Sequence, residues 1–338
     1  MLDLAYADYR PELYGVGLHR DVLFRELHEA AQAEPNVEIE YGFDAAGLDV
    51  AGAGAAQNAI RGADGAAAGP FDLLVVADGR SSIRSTTSAR AYERWYPYGC
   101  LWAILPDADG AFTSEGLLQQ KLSAGSAREM LGFLPCGRTH GSDEQLVSLF
   151  WSLDMATLDA VREAGFEAWG ARVVELEPKA AGLVDELRRR GGLDALIPAA
   201  YSDTWMSSYF HGSSCVFLGD AAHACSPQLG QGANLALVDA WTLAESVAAC
   251  GADAPAAVRH YDAARRWRLR FYQLNSRMLT PVFQSDSAVV GTLRDLAMGP
   301  LCYFPLSRLQ MLTTLVGAQS NGIPWTTIPE EEFMGFTR

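Results

Sequence analysis

The chain is predicted to be an α/β protein, a parallel sheet with a second, sheet-based domain inserted in it, on three observations. Two β-prone runs, FDLLVVADG (Phe71 to Gly79) and CVFLGD (Cys215 to Asp220), are apolar almost without interruption, as strands buried on both faces of a parallel sheet are. A run with helical spacing, Ala233 to Ala249, follows the second of them. Between about Arg90 and Tyr209 the aromatics Trp95, Tyr96, Trp102, Phe133, Trp151 and Trp205 are scattered through mixed strand and helix patterns, which reads as the inserted domain.

In chain order, a short alternating segment opens the sequence. HRDVLFRELHEAAQA (His19 to Ala33) then places Val22, Leu23, Leu27 and Ala30 at helical spacing and predicts a helix. Val37 to Pro70 is rich in Ala and Gly, with a turn signal at RGADG, as in hairpins joined by loose turns. The two buried strands and the middle domain follow, and beyond Pro255 the text is mostly helical. No internal repeat is visible.

The bounds are broad on size and narrow on partners. A chain of 338 residues suits two domains or one large α/β domain. With 26 basic and 41 acidic residues the net charge is -15, which repels phosphate backbones and argues against a nucleic-acid partner. Cys100, Cys136, Cys215, Cys225, Cys250 and Cys302 lie far apart without a C-x-x-C pair, so neither a zinc site nor a secreted disulfide framework is expected, and no metal site is proposed. Reduced thiols and a cytoplasmic location are the expectation. MLDLAYADYRPEL does not look like a signal peptide. The longest apolar tract, Leu296 to Gly317, holds Pro300, Pro305, Arg308 and Gln310 and is too interrupted for a transmembrane segment.

Two stretches carry the chemistry. Asp78-Gly79 ends its strand and is followed by Arg80, Ser81, Ser82 and Arg84. In open α/β sheets ligands collect beyond the carboxyl ends of strands, where an acid can accept hydrogen bonds from sugar hydroxyls. An ordinary Asp-Gly turn is the plainer reading. The second stretch, GDAAHACSPQLGQGANLALVDA (Gly219 to Ala240), delivers Asp220 at the end of the other strand. Pro227 stiffens the approach, and Gly230 and Gly232 let a flat ligand come close to the backbone. The helix after Gly232 turns its free N–H groups and positive dipole end toward that ligand. The plainer reading is a glycine-rich turn with Asp220 as a helix cap and His223 as a polar loop residue.

The order ADGRSSIR, then GDAAHACSPQLGQGANLALVDA about 140 residues later, then a helical tail, closely resembles the FAD-dependent aromatic hydroxylases of flavin class A. The resemblance covers nearly the whole chain, and the tail Asn275 to Leu296 is most similar to the ubiquinone-biosynthesis branch. It implies an FAD-binding Rossmann-like, three-layer α/β domain, incomplete at its N-terminus, with an inserted mixed or antiparallel β-sheet substrate domain and a helical C-terminal tail. The implied bounds are 1–90 and 210–250 for the FAD-binding domain, 91–209 for the substrate domain and 251–338 for the tail. It further implies that Gly219 is a cofactor-binding residue, that Asp220 bonds a ribityl hydroxyl, that Pro227 lies near the flavin ring, and that Gly230, Gln231, Gly232, Ala233 and Asn234 face its pyrimidine edge. Asp78 and Gly79 fall on a motif implicated in FAD and NAD(P)H binding, although Val76 stands where Gly is usual. Arg20 matches an arginine beside the FAD.

The implied activity is hydroxylation of an aromatic or quinone-like small molecule with NAD(P)H as reductant and O2 as the oxygen source. A reductase or dehydrogenase of the same fold, and a non-catalytic remnant unable to hold FAD, are the alternatives. The oligomeric state is unknown, and no catalytic residue is named, since His140, His211 and the middle-domain tyrosines are more often packing or surface residues than proton carriers. The family's opening strand-G-x-G-x-x-G-helix unit has no match, because GVGLHRD (Gly15 to Asp21) lacks the third glycine. The expectation is that roughly 70 to 100 N-terminal residues precede this sequence, the size of such a unit and its connection. Without them the chain is expected to be colourless and poorly soluble, with an open sheet edge. Arg259, Arg265, Arg266, Arg268 and Arg270 read as a solvated helix face or intrachain contacts rather than a phosphate site. Leu296 to Gly317 reads as a packed amphipathic helix, with weak membrane proximity and entry of a lipophilic substrate as its other reading. Trp102 in CLWAILP lacks the second Trp of the flavin-dependent halogenase signature, and halogenation is set aside.

Overall fold

The computed structural model describes residues 3–80, 82–114, 119–122 and 126–319. Helix α1 (Arg20–Ala33) comes first, its end capped by His19, whose Nδ1 accepts from the Asp21 N–H at 3.2 Å. Four short strands follow: β1 (Ala45–Asp49), β2 (Asn58–Gly62), β3 (Ala67–Phe71) and β4 (Leu74–Val76). Longer strands β5 (Ala91–Pro106), β6 (Gln119–Leu122), β7 (Met130–Gly137) and β8 (Leu146–Asp154) lead to helices α2 (Leu158–Ala164), α3 (Phe166–Leu176) and α4 (Ala181–Arg189), then to β9 (Ile197–Met206). The remainder is β10 (Phe210–His211), β11 (Cys215–Phe217), α5 (Asp220–His223), α6 (Gly232–Ala249), α7 (Ala254–Phe283), α8 (Ala288–Tyr303) and α9 (Pro305–Leu315). The helices expected at 19–33 and 233–249 each lie within a residue of their predicted bounds. The mixed α/β class is borne out, as is the helical tail over the described residues.

The chain divides into two compact units, one of Met1–Ile39, Tyr96–Tyr201 and Thr280–Phe304, the other of Glu40–Trp95, Ser202–Leu279 and Pro305–Arg338. Most of the stretch expected as the substrate domain, 91–209, lies in the first unit, and both chemistry-bearing motifs lie in the second. The first unit is built on a five-stranded sheet of order β6-β7-β8-β5-β9, antiparallel in β6/β7, β7/β8 and β5/β8. Its inward residues Leu101, Leu105, Leu131, Phe133, Val147 and Leu149 pack against Trp169, Val173, Leu183 and Leu187 of α3 and α4. Burying each such side chain contributes roughly 1.5–3 kcal/mol before ordering entropy is subtracted. Gly132 faces Phe150 across the sheet, and a Cβ on it would stand 1.9 Å from that ring. The aromatic ring thus occupies the space that the glycine vacates.

The second unit contains the antiparallel meander β1-β2-β3, as the Ala and Gly-rich stretch predicts, and a small sheet of order β10-β11-β4. In the latter, β4 and β11 run parallel, with Leu74 opposite Cys215, Val75 opposite Val216 and Val76 opposite Phe217. Strand β11 is buried throughout, as expected. The run Phe71 to Gly79 departs from expectation. It breaks after Phe71, and in β4 Leu74 and Val76 are buried while Val75 is 47% exposed. Alternation sends Val75 to the opposite face from its neighbours, and among the described residues that face of β4 is open. Around the pair, Val258, Tyr261, Leu269 and Tyr272 of α7 and Leu235 and Leu243 of α6 complete one core.

Candidate functional site

The parallel register of β4 and β11 brings together two motifs that are far apart in sequence. Leu218 continues the ladder, its N–H donating to the Val76 carbonyl at 2.9 Å. Asp78-Gly79 and Gly219-Asp220 therefore leave the sheet side by side, at the carboxyl ends of adjacent strands, where ligands bind in open α/β sheets. The Asp78 carboxylate accepts from the Ile83 N–H at 2.7 Å and so shapes the turn that follows it. Arg84, 3% exposed, is paired with Glu93 beneath that turn. Its role there is structural.

Helix α6 follows α5 after a short loop, and Gly219 packs on it beside Ala236. Gly79, at φ +82°, Gly230, at φ +63°, and Gly232 share one property: a Cβ on any of them would meet no atom within 4 Å. Bare backbone beside open space is what a flat ligand needs to approach closely. The first turn of α6, Gly232 to Asn234, adds N–H groups that have no intrahelical acceptor, with the positive end of the helix dipole. Asp220 and Pro227 are exposed. The Gln231 side chain is buried and donates to the Leu315 carbonyl at 3.1 Å, while Asn234 Nδ2 lies 3.4 Å from Gln231 Oε1. The loop before Pro227 is tied to α7 through Ser226 and Ser276, whose hydroxyl oxygens are 2.9 Å apart.

Below this surface lies a network that the sequence reading passed over. Asp239 of α6 accepts from the Gly219 N–H at 3.0 Å and from Arg265 Nε at 2.8 Å, and its Oδ2 stands 2.5 Å from His223 Nε2. Burial alone would raise the Asp239 carboxyl, but His223, Arg265 and the Gly219 N–H outweigh it and hold it below the ordinary carboxylate range. Close by, burial pushes the Cys225 thiol up to about 12, helped by the negative charges of Asp220 and Asp203 and opposed by Ser276 and Arg80. The thiol stays protonated at neutral pH.

Of the residues singled out in the sequence, Asp78, Gly79, Gly219, Asp220, Pro227, Gly230, Gln231, Gly232, Ala233 and Asn234 all stand in the second unit, at these strand ends, in the loop before α6 or at its start. Arg20 stands at the start of α1 in the first unit. Asp239 and Arg265 were hidden by their surroundings, one inside an Ala and Leu-rich helix and one within a run of arginines. The intrachain reading of that run is borne out: besides Arg265, Arg266 pairs with Asp262 and Arg268 donates to the Gly317 carbonyl. His211 faces the Ser88 hydroxyl at 3.3 Å, and burial lowers its pKa. Among the described residues no group of acids, histidines and cysteines could hold a metal ion.

Residues 194–272 match the family described as FAD binding domain. The chain is 32% identical over 135 residues to 3-amino-4-hydroxybenzoate 2-monooxygenase PtmB3 of Streptomyces platensis, a span of 40% of this chain and 31% of that protein. It is 40% identical over 80 residues to PtnB3 of the same organism, 24% of this chain and 20% of that one. The chain thus matches about a third or less of the length of these curated relatives. The fold is similar to that of 2-methyl-3-hydroxypyridine-5-carboxylic acid oxygenase, with a TM-score of 0.66, 21% identity, and coverage of 87% of this chain and 71% of that one. It is similar also to Klebsiella pneumoniae HpxO, solved with FAD and uric acid, with a TM-score of 0.65, 18% identity, and coverage of 88% and 71%.

Proposed function

We propose, on the premise that the chain carries an FAD-binding domain in the fold of the aromatic hydroxylases, that it is the flavin-holding part of an FAD-dependent monooxygenase. Its substrates would be an electron-rich aromatic or quinone-like small molecule, NAD(P)H and O2, and its location the cytoplasm. No described helix is long and apolar enough to cross a membrane. The single observation that carries the reading is the parallel register that sets Asp78-Gly79 and Gly219-Asp220 at adjacent strand ends, with Gly219 packed on α6 beside Ala236. The group fits these residues: the glycines leave room for a flat ring system, and the exposed Asp220 carboxylate is an acceptor for sugar-like hydroxyls.

Bound FAD would supply the redox and oxygen chemistry, and the protein would orient and tune it. Asp220 would accept hydrogen bonds from the ribityl chain. The first-turn N–H groups of α6 would stabilise negative charge on the ring. Asp78 would hold the adjoining turn in place through Ile83, and Pro227 would keep its loop stiff against the ring. The names of the relatives and of the solved proteins refer to aromatic acids and nitrogen heterocycles, which supports an aromatic substrate here.

The test is flavin titration of the intact protein, followed by NAD(P)H oxidation, oxygen consumption and product mass with a panel of hydroxylated and aminated benzoates and hydroxypyridine carboxylic acids. FAD binding and a product heavier by one oxygen atom are expected. Failure to bind FAD would overturn the reading. Binding with substrate-stimulated NAD(P)H oxidation but no oxygenated product would replace the monooxygenase with a reductase.

A further inference from the structure

Three ionisable side chains meet in the core of the second unit almost without water: Asp239, His223 and Arg265 are 0%, 2% and 2% exposed. Burying charge is unfavourable unless its partners are close and well aimed. Here the Asp239 carboxylate meets the Gly219 N–H and His223 through Oδ2 and Arg265 Nε through Oδ1, and Arg265 Nη2 goes on to the Leu235 carbonyl at 3.2 Å. Apolar side chains of equal volume commonly stabilise such a core as well or better. What they cannot supply is direction.

The network joins three different pieces of chain. Gly219 precedes α5 and His223 ends it, so one carboxylate grips both ends of the short turn that displays Asp220. Asp239 itself sits on α6, about two turns beyond Gly232 at 3.6 residues per turn. Arg265 ties both to α7. Gly219 takes φ +56°, and a Cβ there would lie 3.3 Å from that of Ala236, so the turn rests directly on α6.

We propose that Asp239 is a positioning residue for the cofactor site. It holds the turn that displays the Asp220 carboxylate in a fixed place on α6, so that Asp220 and the first turn of that helix act on one ligand. The inference rests on the reading of that ligand as FAD. A role confined to stability would make affinity follow the fraction of folded protein; a positioning role lowers the affinity of protein that is fully folded.

The test compares Asp239→Asn with Val258→Ala, a cavity variant in the same core whose side chain has no polar partner. In each, the thermal midpoint is measured without flavin, the FAD Kd is measured by fluorescence well below that midpoint, and amide exchange is followed across residues 217–224 without FAD. Asp239→Asn is expected to raise Kd about 10- to 100-fold, by analogy with the loss of a partner that orients a metal ligand, and to deprotect the Gly219 amide. Val258→Ala is expected to lower the midpoint and leave both unchanged. If Asp239→Asn does not fold, His223→Ala, which frees the far end of α5 and keeps the Asp239–Arg265 pair, is expected to raise Kd similarly. Unchanged Kd in the folded variant, or an equal change in Val258→Ala, would overturn the positioning role alone. Intact wild-type protein that binds no FAD would overturn the proposed function and this role with it.

Discussion

Asp220 and Asp239 are the same residue type in the same motif, and exposure gives them different work. Asp220 faces solvent, so Asp220→Ala should leave the thermal midpoint nearly unchanged, within about 0.5 kcal/mol of stability. It should weaken FAD binding by about 10-fold or more, since a hydrogen bond to a charged group contributes roughly 1.5–3 kcal/mol. Fluorescence titration reads this, and an unaltered Kd would remove Asp220 from the site. Asp239 is the buried counterpart. Its carboxyl is held below its ordinary value, so it stabilises the fold above an unfolded pKa near ~3.9, and that stability is lost as pH falls through the lower folded value. Thermal midpoints between pH 7 and pH 3 should fall more steeply on acidification for wild type than for Asp239→Asn; parallel curves would count against the charged network. The thiols follow burial as well: Cys215 and Cys225 are pushed up to about 12 and Cys100 and Cys136 upward. With a thiol reagent at neutral pH, the partly exposed Cys250 should react before all of these. The exposed place of Asp220 after β11 was legible because the end of an apolar run announces it. At Asp239 the nearest sequence neighbours say nothing of the three groups that the fold brings to it.

Elements explain why two glycines in the same protein should respond oppositely to alanine. At Gly232, the first residue of α6, φ is not positive and a new Cβ meets nothing within 4 Å. Gly232→Ala should therefore hold or raise stability by up to about 1 kcal/mol from helix propensity. The same methyl would project into the cradle and weaken FAD binding, so a higher midpoint with a higher Kd is the expected pair of results. At Gly132 the reverse holds, because Phe150 fills the space. Gly132→Ala should destabilise the five-stranded sheet by about 1–3 kcal/mol, with the loss partly restored by Phe150→Leu, as urea unfolding would show. Element types were readable where periodicity was strong, as in α1 and α6. The run Phe71 to Gly79 misled because an unbroken apolar stretch does not reveal how many faces are covered, and the open face at Val75 is a property of its neighbours.

For the whole molecule, the two units predict where a ligand will be felt. On adding FAD at 100 times its Kd, which contributes about 2.7 kcal/mol of stabilisation, amide exchange should slow first around residues 77–84 and 219–235, while the α3 and α4 packing of the first unit changes least. Slowing confined to the first unit would contradict the proposed site. The division also shows a limit of reading along a chain. The second unit gathers Glu40–Trp95, Ser202–Leu279 and Pro305–Arg338, pieces that no composition shift marks as one body. By itself the sequence determined the class of the protein: strand-ending acids, a glycine-rich turn and a periodic helix are local features, fixed by residue order and backbone preference. The tertiary structure alone decided that Asp78 and Asp220 stand side by side, because strand pairing and register are long-range choices. It alone decided also that Asp239, His223 and Arg265 share one dry site, since burial is set by everything packed around a residue.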